Sequence, residues 1–334
     1  MNAISSIPAP GAVQYRYAYA TDRGLVREQN EDAIAIAEEA GLALVADGMG
    51  GYNAGEVASG LAAEFLVTHL VDDLAQLDTG RADASDAPFD GLTDRSSAQA
   101  ATARGLHALL RARIDGANQA IIELANREPE CLGMGTTLAM LLFGDDVVTT
   151  LHLGDSRIYR MRDEVLSLLT RDHSLLQEQL DAGVITPGEA RGSINRNFVT
   201  RALGVDLVAD PEINEYDLAP GDLYLICSDG LPDMLSDEEI FDLLRDDVAA
   251  AAETDAADEA DAADPWPARD GLVAAGDVLD DVANRLVDAA NARGGRDNVS
   301  VVLASVGWPR DAVTAQDHDK EAPDALTGSE GRRA

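Results

Sequence analysis

The sequence predicts an α+β fold in which antiparallel β-sheets are layered against long helices. Short polar turns, GDD at 144–146 and RDE at 162–164, join neighbouring strand-like segments as β-hairpins do. Long stretches with apolar residues at three- and four-residue spacing lie between runs of strands and do not alternate with them one by one. Strands and helices grouped in this way are typical of α+β layers and not of a doubly wound parallel sheet.

The individual elements follow from the same patterns. Helical periodicity predicts helices over 55–71, 101–126, 174–182, 236–245 and 277–292. Apolar runs rich in β-branched residues predict strands over 15–20, 33–37, 42–46, 136–143, 146–153, 157–161, 222–228 and 298–305.

Two segments, 72–100 and 246–270, are dominated by Asp, Ala and turn residues. Neither contains enough apolar area to offset the entropy of ordering, so we predict disordered acidic insertions at both places. A flexible N-terminus over 1–14 and a disordered acidic tail over 309–334 complete the predicted organisation. This leaves one domain over 15–308, although a chain of 334 residues is also long enough for two domains.

The charge of the chain excludes several classes of partner. Lys and Arg number 25 against 61 Asp and Glu, and the net charge is -36. Such a surface repels phosphate backbones and anionic lipids, which argues against nucleic-acid and membrane binding. Its self-repulsion is largely screened at molar salt, where the Debye length is about 3 Å. We therefore predict an acidic protein of a salt-adapted (halophilic) organism.

The location is predicted from what the sequence lacks. It contains no apolar window of about 18 residues, and its first residues lack the charged region of a signal peptide. Cys131 and Cys227 lie in apolar contexts and are interpreted as reduced core residues. These features together predict a cytoplasmic protein.

Acidic residues stand where apolar strands begin or end. Asp47 follows the strand at 42–46 and is itself followed by a glycine-rich stretch, which by itself indicates only a turn. Five other acids share this kind of position: Glu31, Asp32, Asp155, Asp229 and Asp297. Six such acids are hard to explain as independent turns. If the sheet edges gather them, divalent cations with a preference for oxygen ligands would relieve their repulsion.

A carboxylate-held pair of cations indicates chemistry at phosphorus. Two ions about 3.5–4 Å apart orient a water and an in-line displacement. Arg27, four residues before Glu31, is the cation best placed by sequence to hold a substrate phosphate. The Cys and His spacing that zinc requires is absent. The residues alone therefore predict a metal-dependent phosphohydrolase, with independent turns as the alternative.

Seven motifs occur in order along the chain: LVREQNED, LVADGMGGYNAGEVAS, GMGTTL, HLGDSRIYR, NFVTRALG, LICSDGL and GGRDNVSVV. Their order and spacing resemble those of the metal-dependent PPM-type (type 2C) Ser/Thr protein phosphatases, in particular the bacterial-style branch. The resemblance extends over about residues 15–305, apart from the two acidic insertions. It implies a four-layer αββα sandwich of two antiparallel β-sheets flanked by helices, with metal ions between the sheets at one end.

The resemblance also implies the ligands of two or three Mn²⁺ or Mg²⁺ ions. Asp47 would bridge two ions, and the backbone carbonyl of Gly48 would bind one of them. Asp229 and Asp297 would complete the coordination of the other ion.

Four further residues receive roles from the same resemblance. Glu31 and Asp32 would hold waters around the ions. Asp155, together with Asp229, would hold a third and looser ion. Arg27 would bind the phosphate of the substrate.

One position departs from the family pattern. Some members have a histidine, proposed as the general acid, two residues after the bridging aspartate, where this chain has Met49. A water or His173 is the alternative donor, and we favour water. The histidines at 69, 107 and 152 are interpreted as core or surface residues. The segment 174–199 resembles the family's variable flap, which is suited to substrate selection.

The leading functional hypothesis is hydrolysis of phosphoserine and phosphothreonine in proteins by a monomer that opposes a Ser/Thr kinase. A second hypothesis within the same fold is a phosphatase of phosphorylated anti-sigma-antagonist proteins in a stress switch. A third is a pseudophosphatase, a non-catalytic binding module stabilised by metal. The intact set of predicted ligands disfavours this third hypothesis.

Overall fold

Two antiparallel β-sheets lie face to face between layers of helices in this computed structural model, which describes residues 13–51, 54–85, 95–190, 198–245 and 276–307. The strands are β1 (Gln14–Asp22), β2 (Asp32–Ala37), β3 (Leu42–Met49), β4 (Gly135–Thr136), β5 (Leu138–Phe143), β6 (Val147–Leu153), β7 (Arg157–Arg162), β8 (Val165–Leu168), β9 (Glu212–Asp217), β10 (Leu223–Cys227) and β11 (Val299–Gly307). The helices are α1 (Ala54–Ser85), α2 (Arg95–Arg127), α3 (Leu175–Asp181), α4 (Pro187–Ala190), α5 (residues 237–245) and α6 (Gly276–Ala292).

The strand order places three hydrophobic cores in succession. One sheet has the order β1-β11-β10-β7-β8, and the other has the order β2-β3-β5-β6-β9 with β4 paired to β3. The first sheet packs against α5 and α6, and the second packs against α1 and α2. A third core fills the space between the sheets. The predicted α+β sandwich with four αββα layers is therefore confirmed.

The continuous apolar runs of the central strands follow from this layering. In β3, Leu42 and Leu44 belong to the core under α1 and α2, whereas Ala43 and Val45 belong to the core between the sheets. Successive side chains of a strand point to opposite faces, so a strand buried on both faces must be apolar throughout. An acid such as Asp47 is therefore accommodated only where the strand ends.

Both predicted hairpins are present. Residues 144–146 connect β5 to β6, and Phe143 pairs with Val148. In the hairpin from β7 to β8, Asp163 and Glu164 have φ values of 50° and 56°. Positive φ at both central residues is typical of the hairpin turn whose twist matches that of its strands.

The structure differs from the predicted disordered insertion at 72–100, because α1 continues to Ser85 and α2 begins at Arg95. The extension has a physical reason at its start, where α1 is paired with α2. Arg113 of α2 donates to both carboxylate oxygens of Asp73 of α1, one of them at 2.8 Å. Residues 86–94 of this insertion lie outside the described residues.

The other predictions of disorder cannot be compared with the structure in full. Residues 1–12, the insertion at 246–270 and the tail at 309–334 lie outside the described residues, and the single domain over 15–308 remains a prediction. None of the helices in the described ranges is long and apolar enough to cross a membrane.

Candidate metal centre

A cleft of about 160 Å³ opens at one end of the sandwich, where strands of both sheets begin or end. Its lining residues are Arg27, Glu31, Asp47, Gly48, Met49, Gly50, Thr137, Asp155, Val199, Asp229, Asp297 and Asn298. Every site residue predicted from the sequence except Asp32 belongs to this set. The structure thus gathers in one place acids that are up to 266 positions apart, from Glu31 to Asp297.

Asp47 is positioned by the strand that follows α2. Its backbone N–H donates to Thr137 Oγ1 at 3.1 Å, and its carbonyl accepts from the N–H of Thr137 at 2.9 Å. Thr137 Oγ1 also lies 2.7 Å from Ser156 Oγ, beside Asp155. One threonine hydroxyl therefore links the end of β3 to the turn after β6. These contacts fix the backbone of Asp47, and its side chain lines the cleft.

Burial is the largest cause that raises the pKa of Asp47 well above its usual value. The charges of Asp32, Asp229, Asp155 and Asp297 raise this pKa further. A buried carboxylate among other carboxylates is stable as an anion only if a cation or a proton compensates it.

Asp32 lies beneath the cleft, opposite Asp47 in the pairing of β2 with β3. Ser228 Oγ donates to Asp32 Oδ2 at 2.8 Å. Burial raises the pKa of Asp32 to about 6, against the opposing effect of hydrogen bonds from Ser300 and Ser228. Asp32 stands at the strand end as predicted, but its serine partners were not predicted.

Asp229 and Asp155 belong to different sheets and face the same space. Burial, followed by the charge of Asp155, raises the pKa of Asp229 well above its usual value. Burial, followed by the charge of Asp172, raises the pKa of Asp155 to about 7. Asp233 also raises both, and its N–H donates to the Asp229 carbonyl at 2.9 Å. Asp233 was not among the predicted site residues, although its position one turn after Asp229 in DGLPD was a signal.

Two carboxylate oxygens in this cluster are buried without a hydrogen-bond partner among the described residues. They are Oδ1 of Asp32 and Oδ1 of Asp229. Buried polar atoms are almost always satisfied, so such atoms indicate a missing ligand. Carboxylate and carbonyl oxygens without Cys or His form the donor set of hard divalent cations. The residues of the cleft therefore fit Mn²⁺ or Mg²⁺.

Gly48 and Glu31 join the cleft to the start of α1. A Cβ on Gly48 would lie 2.1 Å from the carbonyl oxygen of Gly55 and 2.6 Å from that of Glu31. The backbone N–H of Gly55 donates to the Glu31 carboxylate, whose pKa is nevertheless raised, chiefly by burial. Glycine is therefore required at position 48 by the close approach of α1, in addition to the role of its carbonyl predicted above.

Arg27 is paired within the cleft. Its Nη2 donates to Asp297 Oδ2 at 2.6 Å, and its side chain is 46% exposed. Burial lowers the pKa of Arg27, but the hydrogen bond to Asp297 and the nearby acids outweigh it, so the pKa is raised. The residue predicted to hold phosphate thus shares Asp297 with the predicted metal ligands.

Asn298 holds the loop that bears Arg27 and was not among the predicted site residues. Its Nδ2 donates to the carbonyls of Arg23 at 3.0 Å and Gln29 at 2.8 Å. Its Oδ1 accepts from the N–H of Glu31 at 2.9 Å. The side chain is 4% exposed, so these bonds are made out of contact with bulk water. The only sequence signal was an Asn directly after a strand-initiating Asp.

The general acid is not supplied by the lining residues. Met49 lines the cleft and has no proton to donate. His173, the alternative donor, is not among the described residues that line the cleft. Burial lowers the pKa of His173 to about 4, and its Nδ1 accepts from the N–H of Gly154 at 3.2 Å. The structure therefore places His173 as a support of the turn before Asp155.

A second group with metal-ligand chemistry lies beside that turn. His152, His173 and Glu212 have ligand atoms within 4.8 Å of one another, and the two rings stack with centroids 4.6 Å apart. His152 Nε2 donates to the carbonyl of Arg171 at 2.9 Å. Because Gly154 occupies the lone pair of His173 Nδ1, the proton of the neutral ring is on Nε2, 3.8 Å from Glu212. Both histidines are therefore held by hydrogen bonds, and the proton on His173 Nε2 leaves that nitrogen without a free lone pair for a cation.

The protein is an αββα sandwich, with two facing antiparallel sheets and helices on both outer sides. The carboxylate cleft at one end of the sandwich has the donor groups of a divalent-metal centre. A family model described as Protein phosphatase 2C matches residues 25–262, and the chain belongs to this family. The resemblance seen in the seven motifs is confirmed.

Individual relatives agree with this assignment. The Ser/Thr protein phosphatase PstP of Mycobacterium tuberculosis is 36% identical over 291 residues, which are 87% of this chain and 45% of PstP. The chain thus spans less than half the length of that relative. The Ser/Thr phosphatase stp of Listeria monocytogenes is 30% identical over 288 residues, which are 85% of this chain and 93% of stp.

Solved structures show the same similarity. The PstP catalytic domain in complex with two manganese ions has a TM-score of 0.61 and 34% identity, with 88% of this chain and 99% of that chain covered. The PPM Ser-Thr phosphatase MsPP of Mycobacterium smegmatis, in complex with cacodylate, has a TM-score of 0.60 and 30% identity. The latter comparison covers 87% of this chain and 98% of MsPP.

Proposed function

We propose that this chain is a metal-dependent protein-serine/threonine phosphatase, which hydrolyses phosphoserine and phosphothreonine in proteins. The observation that supports it most is the cleft, where buried and unsatisfied carboxylate oxygens lie beside an arginine. The names of PstP and stp, both Ser/Thr phosphatases, support the same activity.

The acids of the cleft would hold the cations. Asp47 would bridge two of them, with the Gly48 carbonyl on one, and Asp229 and Asp297 would bind the other. Manganese is supported by its presence in the PstP catalytic domain, and Mg²⁺ suits the same oxygen donors. Mn²⁺ or Mg²⁺ bound here would lower the pKa of a water and supply a nucleophile for in-line displacement at phosphorus.

The remaining predicted residues would act around this pair. Glu31, fixed by Gly55 and Asn298, and Asp32, fixed by Ser228, would accept hydrogen bonds from ordered waters. Asp155, whose pKa is raised by burial and by the charge of Asp172, would hold a third ion together with Asp229.

Arg27 would bind the substrate phosphate. Its guanidinium presents donors in a plane that matches two phosphate oxygens. The half-exposed side chain of Arg27 lies at the rim of the cleft. Its ion pair with Asp297 orients the guanidinium. The leaving alkoxide would take its proton from water, because Met49 cannot donate one and His173 supports the turn at Gly154.

The cellular setting is also proposed. A phosphatase of this class would oppose a Ser/Thr kinase, and we propose a monomer in the cytoplasm of a salt-adapted organism. The support for the salt adaptation is the net charge of -36, which concentrated salt would screen.

Hydrolysis of a phosphoserine peptide with Mn²⁺ in buffer of high KCl concentration tests the activity. Release of inorganic phosphate is the expected result, and EDTA should abolish it. A folded protein, shown by circular dichroism in the same buffer, that releases no phosphate would overturn the proposal.

A further inference from the structure

A short loop beside the cleft exposes three apolar side chains in a row of four residues. Within this loop (residues 204–208, the apolar loop), Val205 is 61% exposed, Leu207 is 78% exposed and Val208 is 72% exposed. Single exposed apolar residues are common on protein surfaces, but several within one short loop are typical of an interaction site.

The apolar loop is held rigidly, so its side chains cannot turn into the core. Asn118 of α2 is fully buried, and its Oδ1 accepts from the N–H of Gly204 at 2.7 Å. Its Nδ2 donates to the carbonyl of Asp206 at 2.9 Å, and Gln119 Nε2 donates to that of Leu207 at 3.2 Å. Gly204 has a φ of +85°, and a Cβ there would lie 2.5 Å from Ile121 Cγ2. A surface fixed in this way binds without the entropy cost of ordering.

The apolar loop is continuous with the cleft. Val205 and Met49 both lie against Gly135. A Cβ added to Gly135 would be 3.0 Å from Val205 Cγ2 and 3.5 Å from Met49 Cε. Met49 lines the cleft, so Val205 extends the same wall outwards. An extended peptide advances about 3.3 Å per residue. A residue within a few positions of one held in the cleft therefore reaches the loop.

The charge of this surface selects its occupant. Asp206 is exposed between Val205 and Leu207, and among the described residues its carboxylate has no ion-pair or hydrogen-bond partner. The whole chain has a net charge of -36. An apolar segment that also contains Lys or Arg is complementary to such a surface, and an acidic segment is repelled.

We propose that the apolar loop binds the polypeptide that flanks the phosphorylated residue and selects an apolar side chain next to a Lys or Arg. This inference rests on the proposed function, because the phosphorylated residue in the cleft is what brings the flanking chain to the loop. It assigns substrate selection to a surface outside the flap at 174–199.

The experiment compares three substrates in four proteins. The substrates are a phosphoserine peptide with Leu and Arg beside the phosphoserine, one with Gly and Ser there, and p-nitrophenyl phosphate. The proteins are the wild type, Leu207→Ser, Leu207→Ser combined with Val208→Ser, and the control Val165→Ser. Val165 is 60% exposed, and it lies in β8 beyond the hairpin at the end of β7 away from Asp155.

Leu207→Ser should raise KM for the Leu/Arg peptide about three- to tenfold, because one partly buried leucine contact is lost. The value of kcat should stay unchanged. The double variant should raise KM further. KM for the other two substrates, and all values for Val165→Ser, should match the wild type. An unchanged KM for the Leu/Arg peptide, or an equal rise for the Gly/Ser peptide, would overturn the proposal.

A binding measurement separates this inference from the proposed activity. Fluorescence anisotropy with the phosphonate analogues of both peptides, on the Mn²⁺-loaded protein, gives affinities that do not depend on turnover. A preference for the Leu/Arg analogue that disappears in Leu207→Ser supports the docking surface. Equal affinities for both analogues overturn it, whereas failure to hydrolyse p-nitrophenyl phosphate would count against the proposed function alone.

Discussion

Asp47 illustrates at the scale of one side chain why we propose a cation in the cleft. Its backbone is fixed by two hydrogen bonds with Thr137, at 3.1 and 2.9 Å, so the carboxylate cannot move to solvent. Burial and neighbouring acids raise its pKa well above the usual value. A simple turn after β3 would not need an acid under these conditions. The metal ligation that we propose for Asp47 accounts for this acid and agrees with the two unsatisfied carboxylate oxygens of Asp32 and Asp229.

Asp47→Asn tests this role with almost no change of shape. We expect kcat/KM for a phosphopeptide to fall by more than about 100-fold, since even partners of metal ligands affect activity by roughly 10–100-fold. The free energy of unfolding in EDTA should not fall, because the variant removes charge repulsion. Asp145→Asn, at an exposed hairpin position, is the matched control and should keep full activity. Activity of Asp47→Asn near that of the control would contradict the role.

Asn298 is the residue whose loss should separate positioning from chemistry. Asn298→Ala leaves two carbonyls and the N–H of Glu31, all in partly buried hydrogen bonds, without their partner, which should lower the free energy of unfolding by about 1–3 kcal/mol in total. KM should rise because Arg27 and Glu31 lie on the released loop. Urea unfolding and steady-state kinetics measure both effects. The control Asn284→Ala, on the exposed side of α6, should change neither the free energy of unfolding nor KM. An Asn298→Ala protein in which both quantities are also unchanged would refute the assignment.

At the scale of elements, the junction of β3 with α1 determines the shape of the cleft. Gly48 and Gly55 approach so closely that a Cβ on Gly48 would lie 2.1 Å from the Gly55 carbonyl oxygen. The start of α1 in turn provides the N–H that the Glu31 carboxylate accepts. Partial positive charge at a helix N-terminus favours an anion there. The strand end, the glycine and the helix start therefore form one unit.

Two glycine substitutions in this region should have opposite signs. Gly48→Ala should destabilise the protein and reduce Mn²⁺-dependent activity, because backbone and not a flexible side chain must move to make room. Gly60→Ala, within α1 and with nothing within 4 Å of the added Cβ, should raise the free energy of unfolding by about 0.5–1 kcal/mol. Thermal unfolding of both variants checks the pair. A Gly48→Ala protein as stable as Gly60→Ala would show that the junction is not tightly packed.

The same junction shows what the sequence could and could not predict. Strands buried on both faces, such as β3, produce continuous apolar runs that identify them in the sequence. Both hairpins are predicted by the residues of their turns. The half-exposed edge strand β9 (EINEYD) lacks that signal and was not predicted. The extension of α1 was missed because its pairing with α2, through Asp73 and Arg113, is a tertiary contact. Local composition does not contain such information.

The candidate site likewise contains residues that the sequence predicted and residues that it did not. Acids at strand ends were identified because each interrupts an apolar run, and the sheet edges bring them together. Ser228 and Asn298 were missed, since their importance lies in hydrogen bonds to residues distant in the chain. Asp297 also proved to be the partner of Arg27, a pairing across 270 positions that no local pattern reveals.

At the scale of the whole molecule, the net charge of -36 should make folding depend on salt. Exposed like charges are screened beyond about 10 Å at 0.1 M salt and about 3 Å at 1 M. We therefore expect the melting temperature to rise steadily from dilute to molar KCl. Differential scanning calorimetry with EDTA present measures the effect without bound divalent ions. Equal melting temperatures at low and molar KCl would contradict the proposed salt adaptation.

The carboxylate cluster should also give the metal-free protein an unusual dependence on pH. In the folded state the pKa of Asp32 is about 6 and that of Asp155 is about 7, both above the usual 3.8. Between pH 4 and 7 these two carboxyls therefore bind more protons in the folded protein than in the unfolded chain, whereas His173, with its pKa lowered to about 4, has the opposite effect below about pH 6.5. The stability that protonation provides is full below the unfolded pKa and is lost as the pH rises through the folded values. Each titrating carboxyl contributes a slope of up to about 1.4 kcal/mol per pH unit.

Urea unfolding in EDTA at fixed high KCl, between pH 4.5 and 7.5, measures this loss. Asp155→Asn should flatten the curve near pH 7, whereas Asp145→Asn, exposed and distant from the cleft, should leave it unchanged. Mn²⁺ should reverse the slope, because a cation binds the deprotonated carboxylates and competes with protons for them. A metal-free protein whose stability rises with pH over this range would show that the cluster is neither buried nor coupled as the cleft requires.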